Sequence, residues 1–213
     1  MTNPNGTKRR SVLNWDEYFM AMAHLAAFRS KDPNTQVGAC IVNPDKRVVG
    51  LGYNGFPRGC DDDDYSWNRE GDFLETKYPF VVHAELNAIL NSIQNLAGCT
   101  LYVSLFPCNE CAKAIIQAGI SRVFYESDKY NGTEGNQASK RMFEDAGVEL
   151  VQMPCTVQIQ VNVHPQNENS TQLAPAASAS NMRCDGARDN AKGKDEEFDD
   201  SEASCPCGCH RTN

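Results

Sequence analysis

Nowhere do the 213 residues hold an apolar run near the roughly 18 residues that a membrane helix needs. The first ten, MTNPNGTKRR, are polar, and no apolar core of a secretory leader follows them. Positive charge is not in surplus either. Twenty basic residues stand against 28 acidic ones, a formal net charge of −8. A chain that holds nucleic acid by neutralising phosphates carries the opposite sign, so neither nucleic acid nor membrane is an expected partner. A cytoplasmic protein is expected. No internal repeat is visible.

Hydrophobic residues make up 40% and charged residues 23%, a mixture that supports a real core and excludes wholesale disorder, collagen-like fibre and a bare coiled coil. The length suits one ordinary domain and a tail. Ten cysteines in a small secreted chain would indicate a disulfide scaffold, but this chain is long enough to bury a core without one. Reduced thiols, some of them holding metal, are expected.

Residues 163–213 contain nine acids and five bases, with Val163, Leu173, Met182 and Phe198 as their only large apolar side chains. That is too little burial to offset the ordering of about fifty residues at about 1–2 kcal/mol each, so a disordered acidic tail is expected there. The folded domain is assigned to residues 11–162. Asn14 followed by Glu17 has the form of a helix cap, and Trp15, Phe19, Met22 and Ala26 recur at helical spacing. Val37–Val42 and Val48–Tyr53, separated by Asn43-Pro44-Asp45, predict a β-hairpin. The long polar stretch from Asn54 to about Pro79 is a candidate functional loop. Beyond it, helices are predicted over 81–94, 108–118 and 137–146, and strands over 100–105, 122–126 and from Val148. Such alternation implies crossovers, hence a three-layer α/β/α sandwich with a partly parallel, mixed sheet covered on both faces.

Two short patterns carry chemistry. His83-Ala84-Glu85 opens one predicted helix, and Pro107-Cys108-Asn109-Glu110-Cys111 opens the next. Cysteines three apart at a helix start lie on one side of it, where the helix terminus favours thiolates. His83, Cys108 and Cys111 together make the three-ligand set of a catalytic zinc that keeps its fourth position for water. Two thiolates cancel the charge of the ion, so water activation needs a base beside it. Glu85 is that base, able to move a proton from water to a ring nitrogen and a leaving amine. The paired patterns H-x-E and P-C-x-x-C mark zinc nucleobase deaminases.

The runs DPNTQVGACIV (32–42), GYNGFPRGC (52–60), KYPFVVHAELNAI (77–89), LFPCNECAKAIIQAGI (105–120) and SDKY (127–130) closely resemble the deoxycytidylate (dCMP) deaminases. The resemblance covers about residues 12–160. It implies a cytidine deaminase-like fold and conversion of dCMP to dUMP and ammonia. It further implies a homo-oligomer, often a hexamer, activated by dCTP and inhibited by dTTP with Mg²⁺. By motif it makes His83, Cys108 and Cys111 the zinc ligands and Glu85 the proton shuttle. The Ala84 N–H becomes a partner for the pyrimidine carbonyl, and Asn34 and Asn54 resemble family positions that contact the nucleotide. Lys129 and Tyr130 follow the fourth strand, where phosphate and base could be met; the alternatives are ordinary turn chemistry after Pro33 for Asn34 and a solvated surface charge for Lys129. Asp61 to Asp64 is expected to be a solvated loop face rather than a Mg²⁺ site, and His24 and His164 are expected to be structural. Cys205, Cys207, Cys209 and His210 are left outside the site. The rival activities are deamination of free cytidine, a riboflavin precursor or a tRNA adenine, and a catalytically silent nucleotide sensor.

Overall fold

Asn14 is where the chain first becomes helical. Glu17 N–H donates to Asn14 Oδ1 at 2.9 Å, and Asn14 N–H donates back to Glu17 Oε2 at 2.9 Å, the reciprocal capping box that opens α1 (Trp15–Ala27). The computed structural model describes residues 6, 8–154 and 156–162. The expected disordered tail, with His164, Cys205, Cys207, Cys209 and His210, lies outside them.

β1 (Gly38–Val42) is buried along its whole length and pairs antiparallel with β2 (Val48–Tyr53). In the connecting turn Asn43 N–H donates to the Arg47 carbonyl at 2.9 Å, and Lys46 takes a φ of 62°. On its other side β1 pairs antiparallel with β3 (Thr100–Leu105), after which β4 (Arg122–Ser127) and β5 (Glu149–Gln152) add in parallel. The five-stranded order is β2-β1-β3-β4-β5, a mixed sheet. Residues of α1 (Phe19, Met20 and Ala23) pack on one face, against Cys40, Val42, Tyr102 and Phe124. The opposite face presents Ala39, Ile41, Leu101, Val103 and Val123 to α2 (Ala84–Leu90), α3 (Asn109–Gln117) and α4 (Glu134–Asp145). Ile115 of α3 and Phe143 of α4 are fully buried there, and side chains of that size contribute about 1.5–3 kcal/mol each. The expected three-layer sandwich is the observed one.

Two of the predicted helices differ by more than one residue from their expected bounds. The helix predicted over 81–94 runs only from Ala84 to Leu90, because His83 takes the extended conformation of a cap (φ −72°, ψ 158°). The helix predicted from Gln137 begins at Glu134, since the Thr133 side chain caps it by accepting from Asn136 N–H. The stretch from Asn54 to Pro79 holds only one short 3₁₀ turn, Phe73–Glu75. It folds back on its own aromatic rings: Phe56 lies 4.2 Å from Trp67 and 5.2 Å from Tyr65, and Tyr65 lies 5.0 Å from Phe80, centroid to centroid. A bridge between Gly55 and Val82 closes it.

Helix α2 approaches the hairpin at backbone distance. A Cβ placed on Gly52 would stand 2.2 Å from the Ala84 carbonyl oxygen and 2.3 Å from Ala88 N, and one on Gly50 would stand 2.5 Å from the Ala88 carbonyl oxygen. Asn87 Nδ2 donates to the Tyr53 carbonyl at 2.8 Å and Asn91 Nδ2 to the Leu51 carbonyl at 3.1 Å, tying the helix to edge strand β2. Gly52→Ala is therefore expected to cost about 1–3 kcal/mol by overpacking. Gly135→Ala in α4, where the new Cβ meets only the Asn109 side-chain oxygen at 3.4 Å, is expected to be neutral or to stabilise by up to about 1 kcal/mol. Urea unfolding of the two variants measures the contrast.

Candidate active site

Two helix starts converge beside β3. His83 caps α2 and Cys108 caps α3, which places Cys111 one turn further along the same helix. His83 Nδ1 lies 3.3 Å from Cys108 Sγ and 3.5 Å from Cys111 Sγ, and all three donor atoms fall within 4.8 Å of one another. A tetrahedral zinc with Zn–S near 2.3 Å and Zn–N near 2.0 Å separates its ligand atoms by about 3.5–3.8 Å. One imidazole and two sulfurs at this spacing fit zinc in both chemistry and size. Exposure falls from His83 at the rim, through half-buried Cys108, to buried Cys111.

The sulfurs are electrostatically unequal. The hydrogen bond from Cys111 brings the Cys108 thiol down to about 4, against burial and with help from His83. The same bond, with burial added, drives Cys111 strongly upward, so the pair holds one proton between them. The hydrogen bond to Cys108 likewise raises His83 above its ordinary value, against the opposing effect of burial. Binding of a metal displaces such protons. Cys40, Cys60 and Cys99 are free thiols too. Burial alone pushes Cys40 up to about 12.

Glu85 sits in the first turn of α2, 4% exposed, with its carboxylate against the Cys111 thiol. Loss of hydration raises its pKa. Beside these residues opens a cavity of about 340 Å³ whose lining includes His83, Ala84, Glu85, Cys108, Asn54, Thr35, Lys77, Arg69, Tyr78 and Tyr130.

Of the residues expected from sequence to meet a substrate, Asn54, Ala84 and Tyr130 line this cavity. Asn54 is buried and fully engaged: its Oδ1 accepts from Val37 N–H at 2.9 Å, and its Nδ2 donates to the Thr35 carbonyl at 3.0 Å and to Asp32 Oδ2 at 3.3 Å. Asn34 and Lys129 do not line it. Asn34 borders a neighbouring polar groove, its side chain donating to the Trp67 carbonyl at 3.4 Å. The turn after Pro33 points it outward, with its N–H donating to Asp32 Oδ1 at 2.8 Å. Lys129 lies over the Tyr130 ring, 4.9 Å from its centroid, with Nζ 3.5 Å from Thr35 Oγ1. His24 pairs with Glu126 at 2.8 Å. Asp62 of the acidic run pairs with Lys31.

Sequence reasoning missed Asp32, Lys77, Arg69 and Tyr78. Asp32 and Lys77, 2% and 8% exposed, form a buried ion pair in the cavity wall. Burial pushes the Asp32 carboxyl up, but Lys77 and the N–H groups of Asn34 and Thr35 outweigh it and hold the acid below 3.8. Forty-five residues separate the partners, so no local pattern announces them. Only the KYPF run hinted at Lys77.

Lys77→Met would leave a buried carboxylate without its counter-charge, and it is expected to cost about 3–5 kcal/mol at neutral pH. The sign follows from linkage. A carboxyl held low when folded contributes stability above its unfolded value and loses it as pH falls through its folded value, so the wild-type advantage over Lys77→Met should shrink as pH falls toward and through 3.8. Urea unfolding at pH 7 and at stepwise lower pH checks both size and direction.

Residues 13–127 match the family described as the cytidine and deoxycytidylate deaminase zinc-binding region. The deoxycytidylate deaminase of Homo sapiens is 55% identical over 150 residues, spanning 70% of this chain and 84% of that one. The probable deoxycytidylate deaminase of Drosophila melanogaster is 50% identical over 181 residues, spanning 80% and 89%. Among solved structures, the dCMP deaminase of cyanophage S-TIM5 in complex with dCMP and dUMP superposes with a TM-score of 0.52 at 30% identity, covering 64% of this chain and 95% of that one. Motif, fold, donor geometry and relatives agree: the chain belongs to the cytidine and deoxycytidylate deaminase family, on its deoxycytidylate branch.

Proposed function

We propose that the protein hydrolyses dCMP to dUMP and ammonia. The observation that carries this is the convergence of His83, Cys108 and Cys111 with the buried Glu85 carboxylate beside one cavity, in a chain similar over most of its length to deoxycytidylate deaminases. His83 and the two cysteines hold zinc, which supplies Lewis acidity toward water. Glu85 takes a proton from the attacking water, passes it to the pyrimidine N3, and assists the second transfer that lets the C4 amine leave as ammonia. Its burial keeps bulk water from competing for the proton. The Ala84 N–H, one of the first of α2 and so without an intrahelical acceptor, meets the pyrimidine carbonyl. Asn54 and Tyr130 border the sugar and base from the cavity wall, Lys129 lies over the Tyr130 ring, and Asn34 stays on the neighbouring groove.

In the same proposal the enzyme is a cytoplasmic homohexamer that supplies the precursor for thymidylate synthesis, activated by dCTP and inhibited by dTTP, each carried with Mg²⁺. These regulatory and assembly features rest on the sequence resemblance to the deoxycytidylate deaminases alone. No described helix is long and apolar enough to cross a membrane.

The fall in absorbance when the protein meets dCMP and Mg²⁺, with and without dCTP and then dTTP, tests the activity and its regulation together. Flat kinetics with effectors would remove the regulation, and faster turnover of cytidine than of dCMP would overturn the substrate. Glu85→Gln should keep about one zinc per chain and lose about 10²–10⁴ in rate. Cys108→Ala should lose zinc as well as activity, and metal analysis of both variants separates the two roles.

A further inference from the structure

The cavity beside the zinc ligands contains two cations in its lining, Lys77 and Arg69. They are not equally free. Lys77 is buried and committed to Asp32, and Asp32 also accepts from Asn34 N–H, Thr35 N–H and Asn54 Nδ2. That cluster is closed and nearly neutral. Arg69 is exposed, forms no ion pair among the described residues, and uses Nε to donate to Tyr78 Oη at 3.3 Å. Its terminal nitrogens remain available as a planar fork, the geometry that suits a phosphate.

Its place in the fold gives that fork a direction. Arg69 and Tyr78 line the catalytic cavity and also the polar groove next to it, where Asn34, Trp67, Asn68 and Glu70 complete the wall. Arg69 therefore marks the junction of the two spaces, while Glu85 and the zinc ligands lie at the chemical end of the first. A nucleotide whose base reaches Glu85 carries its one strong anion at the opposite end, toward the junction. The aromatic packing of Phe56, Tyr65 and Trp67 fixes the loop that presents Arg69.

We propose that Arg69 recognises the 5′-phosphate and so sets the preference for a nucleotide over a nucleoside. This assignment rests on the deamination of dCMP proposed above. Tyr78 orients the guanidinium through Nε. Glu70, on the groove side, keeps the positive field local to a single phosphate rather than extending it along the groove.

The test compares kcat/KM for dCMP and for deoxycytidine in wild type, Arg69→Gln and Arg69→Lys, with calorimetry of dUMP binding as a readout that needs no chemistry. Arg69→Gln is expected to lower the dCMP-to-deoxycytidine ratio by about 10- to 100-fold, the scale of a lost charge-assisted hydrogen bond, and to do so mainly through KM. Binding of dUMP should weaken by a similar factor, and Arg69→Lys should recover part of both. An unchanged ratio in Arg69→Gln, whether the two rates are intact or fall together, overturns the assignment while leaving the deaminase activity in place. A wild type that fails to turn over dCMP removes the activity itself, and the assignment with it. Because Arg69 is exposed, an unaltered unfolding midpoint is expected, and it separates lost recognition from lost folding.

Discussion

The close contact between α2 and the β1–β2 hairpin is the constraint on which the site depends. Two glycines, Gly50 and Gly52, leave no side chain between strand and helix, and two asparagines one helical turn apart, Asn87 and Asn91, donate to strand carbonyls two residues apart. Four helix residues rise about 6.0 Å and two strand residues about 6.6–6.8 Å, so the asparagine side chains absorb a small mismatch and lock the register. A helix held this way cannot slide along the sheet without losing both bonds. Since His83, Ala84 and Glu85 form its first turn, the register of α2 on β2 sets where ligand and carboxylate stand.

The second half of the site is built by a different device. Cys108 and Cys111 belong to α3, which follows β3 in a parallel crossover and buries Ala112 and Ile115 against the sheet. One helix is placed by an antiparallel hairpin and the other by a parallel connection, and both reach the same end of β3. That explains the mixed sheet in functional terms. β1 must run against β3 to bring its partner β2 under α2, whereas β4 and β5 must run with β3 so that α3 and α4 cover the same face as α2.

Much of this was legible in the sequence because it rests on local chemistry. The Asn14–Glu17 box, the hairpin, the extent of β3 and the placing of H-x-E and P-C-x-x-C at helix starts all involve residues within a few positions of one another. What was not legible depends on distance or on a choice between equivalent local options. Val81 and Val82 continue the apolar period of α2, yet Val82 is drawn into a bridge with Gly55, so the helix waits until Ala84. Thr133 and Glu134 sit among glycines and look like turn residues, but Thr133 is the cap and Glu134 suits the positive helix terminus. The Asp32–Lys77 pair and the junction position of Arg69 arise only when the 54–79 loop folds over the end of β1, which no periodicity encodes. Asn34 illustrates the converse: its motif is informative, but the Asx-type bonds to Asp32 turn it toward the outer groove.

Two carboxylates share the cavity wall, and their surroundings send them in opposite directions. Asp32 is surrounded by donors, so it stays ionised and serves as a fixed anchor for Lys77, Asn54 and the β1 approach. Glu85 is deprived of water, and with it of the solvation that would stabilise its charge, so its carboxyl is pulled toward the neutral form. An anchor and the proton shuttle proposed for Glu85, made from the same functional group, must differ in this way. A carboxylate held as firmly as Asp32 could not accept a proton in turn, and one as poorly solvated as Glu85 could not anchor a loop. The fold separates the two by where it places donors: N–H groups and a lysine on buried Asp32, and on Glu85 chiefly His83 and Cys111.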